Sequence, residues 1–143
     1  MEERFETFTV LISKINKLIK KIKSRVMDEF NLKISHVSCI YYIYTYKTLT
    51  ASELSEICNE DKASISRAVL FLEENGYLKY VENQTKRYRA LLKLTQKGVE
   101  VGKKIVSNIK TCLDEASQNV SEEERMVMYK SLGTICKNLE NFC

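Results

Sequence analysis

The sequence predicts a mainly α-helical fold with one small two-stranded β element, and three features carry that expectation. The chain has no proline and only four glycines in 143 residues, so long helices can run without interior breakers. Apolar residues recur at three-and-four spacing near both ends, the mark of long amphipathic helices. Between them, one pair of short apolar segments flanks a polar stretch, the pattern of a hairpin.

From Phe5 to Val26, the residues Phe8, Leu11, Ile12, Ile15, Leu18, Ile19, Ile22 and Val26 form one stripe. Acids at its start and Lys20, Lys21, Lys23 and Arg25 at its end suit the helix macrodipole. A second helix is expected from His36 to Tyr46. Propensity alone would also allow a strand over Ser38 to Thr45, because Ile, Tyr and Thr are strand formers. The run Thr50-x-x-Glu53 has capping-box form and opens a third helix, with Leu54, Ile57 and Cys58 on its inner face. After Asn59-Glu60, Asp61 can cap a fourth, whose inner face is Ile65, Ala68, Val69 and Leu72 and which stops at Asn75-Gly76.

Leu78 to Val81 and Ala90 to Leu94 read as strands around the polar run 82–87. Thr95 then opens a helix carrying Val99, Val101, Ile105, Val106, Ile109, Cys112 and Leu113, with Gly98 and Gly102 tolerated at some cost in its first turns. A second capping box, Ser121-x-x-Glu124, starts a last helix with Met128, Leu132, Ile135, Leu139 and Phe142 in a heptad-like stripe. At this length one domain is expected.

A hydrophobic fraction of 44% beside 29% charged residues is that of a soluble protein, and no apolar stretch approaches the roughly 20 residues needed to span a bilayer. The N-terminus carries acids where a secretory signal would be basic, so the expected compartment is the cytoplasm and no membrane partner is expected. Cys39, Cys58, Cys112, Cys136 and Cys143 are odd in number and widely spaced, with only His36 to join them. They read as small buried hydrophobes, with neither a disulfide framework nor a metal site. A single imidazole, no phosphate-cradling glycine loop and no nucleophile motif leave catalysis little to work with, so no enzyme and no cofactor are expected. The net charge of +4 is too modest to settle a partner, and its placement matters more.

Two short helices with a tight turn, then glycine and a basic hairpin, are the parts of a winged helix-turn-helix. The wording of the segments resembles the multiple antibiotic resistance regulator (MarR) family. Leu49-Thr50-Ala51-Ser52-Glu53-Leu54 and Lys62-Ala63-Ser64-Ile65-Ser66-Arg67 match its two central helices, the second being the recognition helix. Leu72-Glu73-Glu74-Asn75-Gly76-Tyr77-Leu78 is similar to the family's exit into the wing, and Leu94-Thr95-Gln96-Lys97-Gly98 to its return. Ser121-Glu122-Glu123-Glu124-Arg125 resembles the opening of its last helix, while the N-terminal helix matches by periodicity only. At the wing the family often has Asp-x-Arg, and this chain has Thr85-Lys86-Arg87 without the Asp.

The resemblance implies one domain over 1–143, with dimerisation helices at 1–30 and 105–143 around a winged helix-turn-helix lobe at 36–98. It implies a homodimeric transcriptional regulator of double-stranded DNA with a pseudo-palindromic operator, acting as a ligand-responsive repressor. Lys62, Ser64, Ser66 and Arg67 lie mostly off the apolar stripe of the recognition helix, and a guanidinium can address guanine O6 and N7 together. Thr50 and Ser52 start the preceding helix, where free amides and hydroxyls can hold a phosphate, although capping alone accounts for Thr50. Lys86, Arg87 and Arg89 give the hairpin a basic tip suited to the minor groove. Family members accept small aromatic effectors beside the dimerisation helices, which points to His36, Tyr41 and Tyr44, though the tyrosines equally suit core packing. Two other readings stay open: a winged-helix module that contacts protein and has lost DNA binding, and a thiol-based redox regulator.

Overall fold

The computed structural model describes residues 5–82 and 89–143. Eight elements follow one another: α1 (Phe5–Phe30), α2 (Ile34–Tyr46), α3 (Ala51–Cys58), α4 (Lys62–Glu74), β1 (Leu78–Tyr80), β2 (Leu92–Leu94), α5 (Gln96–Ala116) and α6 (Glu122–Phe142). Contacts group residues 1–109 and 110–143 into separate compact units, the division falling inside α5.

The predicted start signals act as their chemistry requires. Thr50 Oγ1 accepts from the Glu53 amide at 3.1 Å while Glu53 Oε2 accepts from the Thr50 amide at 2.8 Å, and Ser121 and Glu124 repeat the exchange at the start of α6. Asp61 Oδ1 accepts from the Ser64 amide at 2.7 Å and so caps α4. Helix α1 runs four residues past the expected Val26, because Asn31 is the first residue able to turn it: at φ 54° it lets the Leu32 amide donate to the Met27 carbonyl. The segment open to a strand reading is helical as α2, with Cys39, Ile40 and Ile43 fully buried.

The core of the first unit gathers the expected inner faces. Ile40 and Ile43 of α2 meet Leu54 of α3, Ile65, Ala68, Val69 and Leu72 of α4, Leu78 and Leu92 of the hairpin, and Ile105 of α5. Burying these side chains against one another fixes the angle at which α4 is presented.

The hairpin departs from expectation at both strand ends. Pairing runs only from Leu78 opposite Leu94 to Tyr80 opposite Leu92, although the Val81 amide still donates to the Leu91 carbonyl. Leu92 turns its other edge to Leu49, exchanging two backbone hydrogen bonds with it. Leu49, two residues before α3, therefore adds a one-residue third strand that the sequence pattern did not reveal, since one residue carries no periodicity.

Gly98 and Gly102 are also more than tolerated. A Cβ at Gly98 would overlap the Tyr77 carbonyl oxygen, and one at Gly102 would stand 2.7 Å from Cδ2 of the Tyr44 ring. Both are buried and mark where α5 lies against its neighbours. Thr95 completes the contact, its hydroxyl accepting from the Gly98 amide and donating to the Gly76 carbonyl. Lys97 Nζ donates to the Asn75 carbonyl at 2.9 Å and stands 4.3 Å from the centre of the Tyr77 ring.

Among the described residues, two helix faces remain open. On α1, Leu11, Ile15, Leu18 and Ile19 are each 45–50% exposed, and α6 has no buried residue, with Met128, Leu139 and Phe142 exposed.

Gly98→Ala is expected to lower unfolding stability by about 1–3 kcal/mol in urea titrations, the usual cost of forcing atoms into a packed contact. Gly76→Asn should cost much less: Gly76 sits at φ 78° with nothing near its missing Cβ, and asparagine tolerates that region.

Candidate nucleic-acid interface

The turn between α3 and α4 is built by local hydrogen bonds. Asn59 takes the left-handed conformation at φ 51°, the Glu60 amide donates to the Ser55 carbonyl at 3.2 Å, and the Ser55 hydroxyl donates to the Glu60 carbonyl. These bonds bring Asp61 to the head of α4. Its buried stripe of Ile65, Ala68, Val69 and Leu72 then leaves Lys62, Ala63, Ser66, Arg67 and Leu70 exposed.

The polar residues of α4 are linked through Asp61. Its Oδ2 accepts from the Ser64 hydroxyl at 3.1 Å, and the Ser64 oxygen accepts from an Arg67 guanidinium nitrogen at 3.2 Å. The Asp61 carboxyl is held below its ordinary value of 3.8, mainly by the Ser64 amide and hydroxyl, with Arg67 adding an attraction. Sequence reasoning gave Asp61 only a cap; it also aims Arg67 at the exposed end of the helix.

Ser52 and Lys62 are exposed, and with Ala51, Ser66, Val69, Leu70, Glu73 and Tyr80 they line a hollow of about 480 Å³ between α3, α4 and β1. Arg67 and Ser64 face the other way, into a wider cavity. Thr50 spends its oxygen on the Glu53 amide. Arg89 is exposed beside β2, whereas Lys86 and Arg87 lie outside the described residues.

The wider cavity, about 1100 Å³, lies between the C-terminal half of α1, the start of α2 and α4. Lys20, Lys33 and Arg67 bring cations to it, Asp28 and Glu60 bring acids, and His36 and Phe71 form an aromatic wall. The His36 and Phe71 rings stack at 4.1 Å with only 3° between their planes. His36 Nδ1 accepts from the Lys33 amide at 3.0 Å, leaving the proton on Nε2. Burial first and the Lys33 charge second depress its pKa below the ordinary 6.5, which favours the neutral ring. The other two expected effector residues do not line this cavity: Tyr44 packs on Gly102, and Tyr41 meets Tyr42 edge-to-face at 5.1 Å.

Another pairing escaped the sequence because its members lie on different helices. The Cys39 thiol of α2 hydrogen-bonds the Cys58 sulfur at the end of α3. That bond, then burial, raises the Cys39 pKa, and the same bond lowers that of Cys58 against the opposing effect of its own burial. Among the described residues, no group of His, Cys, Asp and Glu side chains could hold a metal ion, and no helix is long and apolar enough to cross a membrane.

The fold is that of winged helix-turn-helix regulators of the MarR family. A MarR family regulator from Neisseria meningitidis, NMB1585, superposes with a TM-score of 0.83 at 16% identity over 99% of this chain and 96% of its own. The Staphylococcus aureus MarR in complex with salicylate and kanamycin gives 0.81 at 18% identity, covering 96% and 93%. The S. aureus MepR–DNA complex gives 0.81 at 17%, covering 92% and 96%. In sequence, the chain is 22% identical over 129 residues to the HTH-type transcriptional regulator BilQ of Clostridioides difficile (strain CD3), spanning 90% of this chain and 84% of that protein. No family model matches the chain.

The Asp61 cap gives a pH test. A carboxyl whose folded pKa is depressed contributes stability above its unfolded value and loses that contribution as pH falls through the folded one. The stability difference between the wild type and Asp61→Asn should therefore be constant from neutral pH down to about 5, and shrink below the ordinary 3.8. Denaturant melts at stepped pH measure it; a difference that grows on acidification would contradict the assignment.

Proposed function

We propose that the chain is a homodimeric, sequence-specific transcriptional regulator of double-stranded DNA, a repressor released by a small ligand. The observation that carries this reading is the Asp61–Ser64–Arg67 linkage. It holds a guanidinium on the exposed N-terminal half of α4, the same half that carries Lys62 and Ser66 toward the start of α3 at Ser52 on the adjoining side of the helix. A helix fits the major groove, and its first turns reach base edges while lysines and helix N-termini hold phosphates. Arg67 is the base reader, Ser64 and Asp61 position it, and Ser52, Lys62, Ser66 and Arg89 supply contacts around it. Thr50 contributes mainly by fixing the α3 N-terminus. Lys86 and Arg87 keep the minor-groove role expected of them. The MepR complex with DNA is consistent with this use of the fold.

Dimerisation follows from the open stripes of α1 and α6, within the segments 1–30 and 105–143. Apolar stripes of this length are characteristic of helices that pack across a two-fold axis, and pairing two lobes places their recognition helices in successive major grooves of a pseudo-palindromic site. The chain then works as one MarR-type domain, with the lobe at 36–98, in the cytoplasm and without a catalytic step.

The ligand is assigned to the wide cavity at His36. Stacked aromatic surface, a neutral imidazole and the cations Lys20, Lys33 and Arg67 suit a small aromatic anion, and salicylate is bound by the S. aureus MarR. Because Ser64 and Arg67 line the cavity and also serve the DNA face, an anion there would draw Arg67 away from a base.

Arg67→Ala should weaken binding to a selected site by about 1–3 kcal/mol and relax discrimination at one base step. Ser64→Ala should relax the same step with a smaller loss. The wild type should lose affinity steeply between about 50 and 200 mM salt. Gel-shift titrations measure all three, and sedimentation should give a dimer mass at micromolar concentration. Absence of any salt-sensitive DNA affinity would favour the protein-contacting module instead.

The contact between Cys39 and Cys58 favours a second, redox reading. A hydroperoxide is the oxidant: the Cys58 thiolate attacks its oxygen, giving a sulfenic acid and releasing hydroxide or alkoxide. The Cys39 sulfur then displaces the sulfenic hydroxyl, its thiol proton leaving with it as water and the disulfide joining α2 to α3. Peroxide should then reduce DNA affinity reversibly in the wild type and leave Cys58→Ser unaffected. Mass spectrometry showing no loss of two hydrogens on oxidation would remove this reading.

A further inference from the structure

The hollow between α3, α4 and β1 contains an exposed leucine that the DNA reading has not used. Leu70 is 52% exposed on the outer face of α4. Lys62, Ser66 and Leu70 follow one another at four-residue intervals and line the same hollow, so they form one ridge along the helix. Ser52 of α3 and Tyr80 of β1 line the hollow with them, and Leu70 is left half exposed there. Glu73 follows at the end of the ridge, where its carboxylate repels phosphate. The surface favourable to DNA therefore begins at Lys62 and ends at Leu70.

We propose that Leu70 is a specificity-determining residue that reads the C5-methyl group of a thymine in the major groove, and this rests on the DNA-binding reading above. A leucine has no hydrogen-bonding group and so cannot read the donors and acceptors that distinguish most base edges. The methyl group of thymine is the apolar feature those edges present in the major groove. Leu70 lies one helical step of four residues beyond Ser66, about 6 Å along the axis at about 1.5 Å per residue. The flanking lysine and serines argue for DNA over a second copy of the chain as the occupant, since an apolar contact between copies would bury those groups unpaired.

The test removes the methyl group and nothing else. Duplexes are selected by the wild type from a randomised pool, and the best is resynthesised with deoxyuridine at each thymine in turn. One thymine for each engaged recognition helix should be sensitive, its replacement weakening the wild type roughly fourfold, the factor that goes with burying one methyl-sized group. Leu70→Ala should bind the unmodified duplex more weakly by a similar factor and be indifferent to deoxyuridine at that position. A wild type insensitive to every replacement overturns the inference without any variant. So does Leu70→Ala retaining the full deoxyuridine penalty, or a fall in its sedimentation mass, which would assign Leu70 to contact between copies. Selection that enriches no duplex would instead strike the DNA-binding reading itself.

Discussion

Helix α5 begins where it does because Gly98 lets its backbone lie against the carbonyl of Tyr77, with the Thr95 hydroxyl bridging the Gly98 amide and the Gly76 carbonyl. Three elements meet at that contact: α4 ends at Asn75-Gly76, β1 begins one residue after Tyr77, and α5 starts after Thr95. Any side chain at Gly98 would push α5 away from the strand, and the hairpin would lose the support that holds Leu78 and Leu92 in the core. Lys97 reinforces the contact by donating to the Asn75 carbonyl while its stem and charge cover the Tyr77 ring. The end of the recognition helix and the base of the hairpin are thereby set by one small contact.

The other end of α4 is fixed by quite different means. Its inner face is held by the apolar core, but its polar face is organised by a single carboxylate through two hydroxyl-mediated steps to Arg67. Such a linkage costs little when all its members are near water, and it restricts a long side chain that would otherwise sample many rotamers. The cavity beside it puts His36 and Phe71 within reach of the same arginine. A structural cap, the proposed DNA reader and one wall of the proposed ligand cavity thus share the residues 61–71, which would couple them.

Two unmet needs of the chain are plain from exposure alone. Half-exposed leucines and isoleucines along α1 and the uncovered face of α6 are far more apolar surface than isolated helices keep in water. The exposed leucine of α4 is different in kind, being a single exposed apolar side chain that follows Lys62 and Ser66 along one ridge. A continuous stripe suits another helix; a lone leucine on a polar ridge suits a small apolar group.

Periodicity and end signals, which are local, were legible in the sequence. The stripes of α1, α4, α5 and α6, the capping boxes at Thr50 and Ser121, the Asp61 cap and the glycine exit at Gly76 each depend on residues within about one turn of one another. The expected DNA-facing residues Lys62, Ser64, Ser66 and Arg67 followed from positions mostly off the buried stripe of α4, and Ser52 from its place at the start of α3. What only the tertiary structure decided involves residues far apart in the chain. Leu49 pairs with Leu92, Gly98 meets Tyr77, His36 stacks on Phe71, and Cys39 touches Cys58. The family resemblance pointed to Tyr41 and Tyr44 together with His36, yet α2 turns the two tyrosines toward other neighbours, and Tyr44 packs into the space left by Gly102. Helical spacing determines which residues share a face, but the packing of one helix on another determines what that face meets.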